Sequence, residues 1–159
     1  MRQRNILGLP KLLLTFCCCL VTTTIFCQDW ERATSAYGEY TSVSGISLFT
    51  VNYDRRFIKQ QDQFGFRFGF GVLDQERTSY MIIPIGINYL RGNAPHYIET
   101  GFGITVITAH KMGTGYSFVP SLGYRFQPEE KGVTFRAFVA TWLSGGFLLS
   151  GGVSAGLKF

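Results

Sequence analysis

The chain has 159 residues, enough for one domain, and 16% aromatic residues, 19 glycines and only 16% charged residues are unusual for a soluble one. Its formal net charge is +5. Three of the basic residues, Arg2, Arg4 and Lys11, precede the first acidic residue, so the charge is concentrated in a short N-terminal segment. We therefore expect no nucleic-acid partner.

That N-terminal segment has the layout of a cleaved secretory signal peptide. Its basic residues precede an apolar run at 12–26, and the first acidic residue is Asp29. Cleavage after Cys27 would leave residues 28–159 as the mature domain. The formal net charge would then fall to +2, with 12 basic and 10 acidic residues remaining.

Two other fates of the segment, a retained membrane-spanning helix and lipid attachment, fit its sequence less well. The apolar run is shorter than the roughly 20 residues that a membrane-spanning helix needs. Lipid attachment at Cys27 normally requires a small residue where Phe26 stands. All four cysteines, Cys17, Cys18, Cys19 and Cys27, lie in this segment, so the mature chain has neither a disulfide nor a cysteine metal site.

Beyond the segment, apolar residues alternate with small or polar ones, and no helical stripe is present. Short breaks containing glycine, proline or charged residues separate the alternating stretches. We predict strands at 44–57, 62–73, 78–91, 96–109, 114–127, 132–143 and 146–159, preceded by a first strand at 33–42.

The direction of alternation favours a membrane barrel. Phe64, Phe66, Phe68 and Phe70 share one face, and the opposite face consists of glycines and Arg67. A soluble sandwich would expose the second face, but exposed strands normally carry long polar side chains, and interior glycine weakens them. In a narrow barrel, inward glycines leave room for a few large polar residues, and lipid covers the apolar exterior.

Backbone groups facing lipid must be paired, so the sheet has to close. With both termini on the periplasmic side the strand number is even, which predicts an antiparallel up-and-down transmembrane barrel of eight strands with short loops. Such a barrel has an interior just wide enough to be filled by side chains.

With the apolar face outward, seven charged residues point into the lumen. They could form an anion-binding or gating constriction, or a packing network that fills the interior; we favour the packing network, because charges in such a space must be paired. The seven residues are Asp54, Arg56, Arg67, Glu99, Arg125, Arg136 and Lys158.

Aromatic residues near the predicted strand ends suit the headgroup layer of a membrane better than a ligand-stacking cleft. This predicted girdle consists of Tyr53, Phe57, Tyr80, Tyr89, Tyr97, Tyr116, Tyr124, Phe126 and Trp142.

Signs of an enzyme are weak. Residues 152–156 match the G-x-S-x-G nucleophile pattern, but that pattern needs a following helix and a later histidine, and only three residues remain. His96 and Glu99 are three apart on a strand and so face opposite sides, and His110 has no evident partner. The sequence predicts no enzyme, no cofactor, and no catalytic or metal-binding residue.

Four runs of the chain also resemble small outer-membrane β-barrel proteins of Bacteroidetes-type Gram-negative bacteria: 51–57 (VNYDRRF), 83–90 (IPIGINYL), 97–103 (YIETGFG) and 123–128 (GYRFQP). The resemblance covers nearly the whole mature chain. It implies an outer-membrane location, outer-membrane lipid as a partner, and periplasmic chaperones and the barrel-assembly machinery as partners during biogenesis. It also implies that Phe159, preceded by alternating apolar residues, serves as the assembly signal.

These observations favour a structural or envelope-associated barrel with a lumen filled by side chains. One alternative is a passive diffusion route for small hydrophobic compounds, which would need an opening lined by Phe and Tyr. Another is an exported soluble lipocalin-like carrier, which would need an apolar lumen and a polar exterior. Short loops argue against adhesion or receptor roles.

We predict that Phe159→Ala reduces membrane insertion more than synthesis, because the terminal aromatic is the expected assembly signal. Phe147→Ala, at the other end of the same predicted strand face, is the matched control. Immunoblots of membrane and total fractions check this, and unchanged membrane levels for Phe159→Ala would contradict the assigned role.

Overall fold

The structure is a computed structural model that describes residues 33–58, 63–75, 78–109 and 113–159; the predicted signal segment lies outside these ranges. Within them, eight antiparallel strands follow one another around a closed barrel. No helix in the described ranges is long and apolar enough to cross a bilayer. The strands are β1 (Thr34–Val43), β2 (Ile46–Arg56), β3 (Phe64–Gln75), β4 (Thr78–Asn93), β5 (His96–Ala109), β6 (Gly113–Phe126), β7 (Gly132–Leu143) and β8 (Phe147–Lys158).

The first and last strands close the barrel. Gly38 of β1 lies opposite Val51 of β2 on one side and Ala155 of β8 on the other. Each strand thus has two hydrogen-bonded neighbours, and no sheet edge is left open. The predicted fold class and strand number are confirmed, and the first strand, predicted at 33–42, is found one residue later.

The two ends of the barrel differ in their connections. We call the end where β1 begins and β8 finishes the termini end, and the opposite end the hairpin end. At the termini end β4 continues to Asn93, and a two-residue turn, Ala94-Pro95, leads into β5. The predicted break at 91–95 is therefore shorter than expected. At the hairpin end, Ser44-Gly45 joins β1 to β2, and both residues have positive φ angles.

The orientation of the faces agrees with the alternation in the sequence. Phe64, Phe66, Phe68 and Phe70 are exposed on the outer surface of β3. Large apolar residues are exposed on the outer faces of the other strands as well, whereas buried polar and charged residues line the interior. The barrel is therefore apolar outside and polar inside, the polarity of a membrane barrel.

The predicted aromatic girdle is wrong at two positions. Tyr97 and Trp142 are buried in the interior, whereas Tyr116 and Tyr124 are exposed on the outer surface. Tyr97 shares its strand face with Glu99, and period-two alternation places both inside. Nearness to a strand end had been given more weight than the face of the strand.

Inward glycines create the space that the large interior side chains occupy. A Cβ atom at Gly65 would overlap the Arg56 guanidinium, and one at Gly152 would overlap the Phe138 ring. At Gly156 it would overlap backbone, the carbonyl oxygen of Ala36 and the Cα of Tyr37. The glycines of the inner face thus leave the space that a few bulky side chains occupy.

We expect Gly156→Ala to lower the free energy of unfolding by about 1–3 kcal/mol, because the added methyl group meets backbone that cannot rotate away. Gly151→Ala, on the outer face of the same strand, is the matched control, because its methyl group meets only the Phe138 carbonyl oxygen, at an ordinary van der Waals distance of 3.9 Å. Urea unfolding in detergent checks both, and equal stability of the two variants would contradict the packing argument.

Candidate functional site

The lumen contains a cluster of charged residues that extends from the termini end to the middle of the barrel. Six of the eight strands contribute to it, because each has one or two charged residues on its inward face. We call this cluster the lumen network; its members are Glu39 (β1), Asp54 and Arg56 (β2), Arg67 (β3), Glu99 (β5), Arg125 (β6) and Arg136 (β7).

Asp54 anchors the half of the network nearest the termini end. Its Oδ1 pairs with Nη2 of Arg56, and its Oδ2 accepts a hydrogen bond of 3.1 Å from Nη2 of Arg125. Asn88 of β4 joins them: its Nδ2 donates to Asp54 Oδ2 at 2.5 Å, and its Oδ1 accepts from Arg56 Nη2 at 2.5 Å. A carboxylate shared by two guanidiniums and an amide is well compensated for the loss of water.

Glu99 resolves a conflict between two arginines. Arg125 and Arg136 lie directly opposite each other on β6 and β7, an arrangement that is destabilising for like charges. Glu99 Oε2 is 3.3 Å from Arg125 Nε, and its Oε1 is 3.0 Å from Arg136 Nε. One carboxylate therefore bridges the two guanidiniums and reduces their repulsion.

Glu39 continues the network toward the hairpin end. Its Oε2 accepts hydrogen bonds from Arg136 Nη1 at 2.6 Å and from Arg67 Nη1 at 3.2 Å. The described ion pairs thus form one unbroken series from Arg56 to Arg67. Each acidic residue in the series is shared by two arginines.

Aromatic rings pack against two of the guanidiniums. The Arg136 guanidinium carbon lies 4.1 Å from the centroid of the Phe138 ring, and that of Arg125 lies 5.6 Å from the Tyr37 ring. Cation–π contacts of this kind are strongest where water is excluded. The side chains of Asp54 and Glu99 are only 1% exposed, so the network is desolvated.

An apolar plug fills the lumen between the network and the hairpin end. Trp142 donates from Nε1 to Ser150 Oγ at 3.1 Å, and that hydroxyl donates to the Ala140 carbonyl at 3.0 Å, which fixes the indole ring. Buried side chains also occur at the opposite end of the barrel, the termini end, where Leu90 and Gln127 are almost completely buried but do not belong to the plug. The plug residues are Val43, Leu48, Ile82, Val119, Phe138, Ala140 and Trp142.

A small cavity remains where the network meets the plug. Its volume is about 30 Å³, and Glu39 and Arg67 line it together with hydroxyl side chains and part of the plug. It has room for one or two water-sized particles and no more.

The structure brings six of the seven predicted lumen charges into the network. Lys158 differs: its ammonium lies at the rim and donates to the carbonyl oxygens of Pro128, at 2.9 Å, and Glu129 in the β6–β7 connection. Sequence reasoning missed Glu39 and Asn88. The signal that could have found Glu39 is its alternation with Gly38 and Tyr40, which assigns it to the inner face.

The weaker motifs do not form sites. Ser154 lies buried within β8, opposite Glu39 and Arg136, in extended backbone and without the strand-to-helix turn of a nucleophile elbow. His96 is on the outer face, where its Nδ1 is 2.6 Å from the Tyr124 hydroxyl. His110 lies outside the described residues. Among the described residues, no three His, Cys, Asp or Glu side chains are grouped to hold a metal ion.

Comparison with known proteins identifies the fold. No family model and no curated protein matches the chain. Among solved structures, the chain is similar to the N-terminal β-barrel domain of Pseudomonas aeruginosa OprF, with a TM-score of 0.59 and 11% identity over 80% of this chain and 97% of that one. It is also similar to the outer membrane enzyme PagL, with a TM-score of 0.56 and 13% identity over 80% and 98% of the two chains. The fold is that of the eight-stranded outer-membrane β-barrels.

We expect Glu99→Gln to lower the free energy of unfolding by about 3–5 kcal/mol, because it leaves Arg125 and Arg136 facing each other in a desolvated lumen. Glu130→Gln, in the exposed β6–β7 connection, should change it by less than about 0.5 kcal/mol. Denaturant unfolding in detergent measures both. Combining Glu99→Gln with Arg125→Met should recover part of the loss, and strict additivity of the two would contradict the pairing.

Proposed function

We propose that this protein is a Gram-negative outer-membrane β-barrel with a lumen filled by side chains, and that its role is structural or envelope-associated. One observation carries the proposal: the buried side chains of the lumen network and the apolar plug occupy the interior, and the cavity where they meet has a volume of only about 30 Å³. A barrel filled in this way supports neither a pore nor a ligand pocket of ordinary size.

The outer surface supports a membrane location. Large side chains such as Phe68, Ile85, Phe102 and Val153 are about half exposed around the barrel, and water would be a poor solvent for so much apolar area. Lipid acyl chains match this surface. Outer-membrane lipid is therefore the partner that we propose for the folded chain.

The two alternative functions find no support. A soluble lipocalin-like carrier needs an apolar lumen and a polar exterior, and the structure has the reverse arrangement. A diffusion route for hydrophobic compounds needs an opening lined by Phe and Tyr. The inward aromatics Tyr37 and Phe138 instead pack on arginines, and Trp142 belongs to the plug.

We further propose that the barrel has no catalytic activity, although one similar structure is described as an outer membrane enzyme. Each carboxylate of the lumen network is paired with arginine and is not placed to act as a base. Ser154 faces inward and His96 outward, so the barrel wall separates them.

Export and assembly are part of the same proposal. Residues 1–27 would direct export as a cleaved signal peptide, and periplasmic chaperones and the barrel-assembly machinery would insert the barrel. Phe159 is exposed on the outer face, and its backbone N–H donates to the Thr34 carbonyl at 2.9 Å, next to the seam between β8 and β1. That position suits a residue that is recognised before the seam closes.

We expect the protein to stay in the membrane fraction after carbonate extraction, to migrate differently on gels before and after boiling, and to be electrically silent in planar bilayers. Carbonate release would contradict the membrane location. A steady, reproducible conductance from the heat-modifiable species would contradict the filled lumen while leaving the location intact.

A further inference from the structure

The lumen network has one more positive charge than negative charge. Four arginines share three carboxylates along the series of ion pairs. Lys158 does not alter this count, because its ammonium is held at the rim, close to Glu129 and Glu130. An uncompensated positive charge in a desolvated interior carries a heavy free-energy cost.

Of the four arginines, Arg67, at one end of the series, is the one that lines the cavity. Arg56, at the other end, has additional acceptors in Asn88 and in the Gln63 carbonyl. Nη1 of Arg67 is 3.2 Å from Oε2 of Glu39, and the same carboxylate oxygen also pairs with Arg136. Its side chain is 14% exposed, and it lines the cavity of about 30 Å³.

The cavity wall beside Arg67 presents hydrogen-bond donors. Thr41, Thr105 and Ser121 line it, and the side chains of Thr41 and Thr105 are more than nine-tenths buried. A hydroxyl can direct its proton toward an anion. Leu48 and Ile82 form part of the remaining wall, and apolar walls of this kind strengthen electrostatic interactions in the cavity.

We propose that this cavity is a binding site for a small monovalent anion of halide size, held by the Arg67 guanidinium and the three hydroxyls. The bound anion supplies the negative charge that the lumen network lacks. The volume is sufficient for a chloride or bromide ion. The inference rests on the lumen geometry alone and does not depend on the proposed function.

Crystals grown or soaked in sodium bromide provide the direct test. An anomalous bromide peak inside the lumen, within contact distance of Arg67, is expected. Water without anomalous signal at that position would overturn the proposal. Peaks confined to the outer surface of the protein would also overturn it, since they represent adventitious ions only.

Thermal unfolding of the purified, heat-modifiable barrel gives an independent test. Replacing sodium gluconate by sodium chloride at constant ionic strength should raise the Tm saturably, by about 5 °C. Arg67→Gln should abolish the chloride dependence of the Tm. Arg55→Gln, which removes an arginine near the end of β2 that does not belong to the lumen network, should retain it.

A second variant keeps the test decisive if Arg67→Gln fails to fold. Glu39→Gln removes a carboxylate from the cavity wall and should at least double the chloride-dependent rise in Tm. A dependence on chloride that is the same in the native chain, Arg67→Gln and Glu39→Gln would overturn the proposal, because it would report a general salt effect.

Discussion

The pairing of β1 with β8 is the constraint on which the rest of this structure depends. In hydrocarbon an unpaired backbone N–H or carbonyl costs several kcal/mol, so a sheet with free edges could not be stable there. Closing eight strands fixes a narrow interior, and that interior accepts large side chains only where neighbouring positions are glycine. The apolar exterior, the glycine-rich inner face and the dense lumen network all follow from one closed ladder of hydrogen bonds.

The network also specifies the register of the strands. Seven strands contribute a member of the lumen network or Asn88 to the same interior. A slip of one residue in any of them would turn its charge toward lipid and leave its partners unpaired. A slip of two residues would keep the apolar side chains of the outer face in lipid, so these side chains do not discriminate against it. In this barrel the pairing of polar side chains therefore specifies a single arrangement of the strands, a role that close apolar packing has in a soluble core.

Much of this arrangement could be predicted from the sequence, because period-two alternation determines which face each residue occupies. Six inward charges and all eight strands were found in that way. The pairing partners could not be predicted from the sequence, because they depend on how the barrel closes. Asp54 lies opposite Arg67 in the β2–β3 register, yet Arg67 forms its ion pair with Glu39. Lys158 faces inward, as the alternation predicts, but the alternation could not show that it bonds to carbonyl oxygens of the β6–β7 connection at the rim. Tyr97 and Trp142 lie near strand ends but on the inner face.

The same network constrains the order of events during assembly. An arginine or carboxylate that entered the bilayer alone would face a large desolvation penalty, and three acids and four arginines on six strands would face it repeatedly. Since every ion pair of the network except Asp54–Arg56 joins two different strands, most of the penalty falls only when those strands are already side by side. The barrel must therefore curl into nearly its final form while it enters the membrane, and strand-by-strand insertion is unfavourable for this chain.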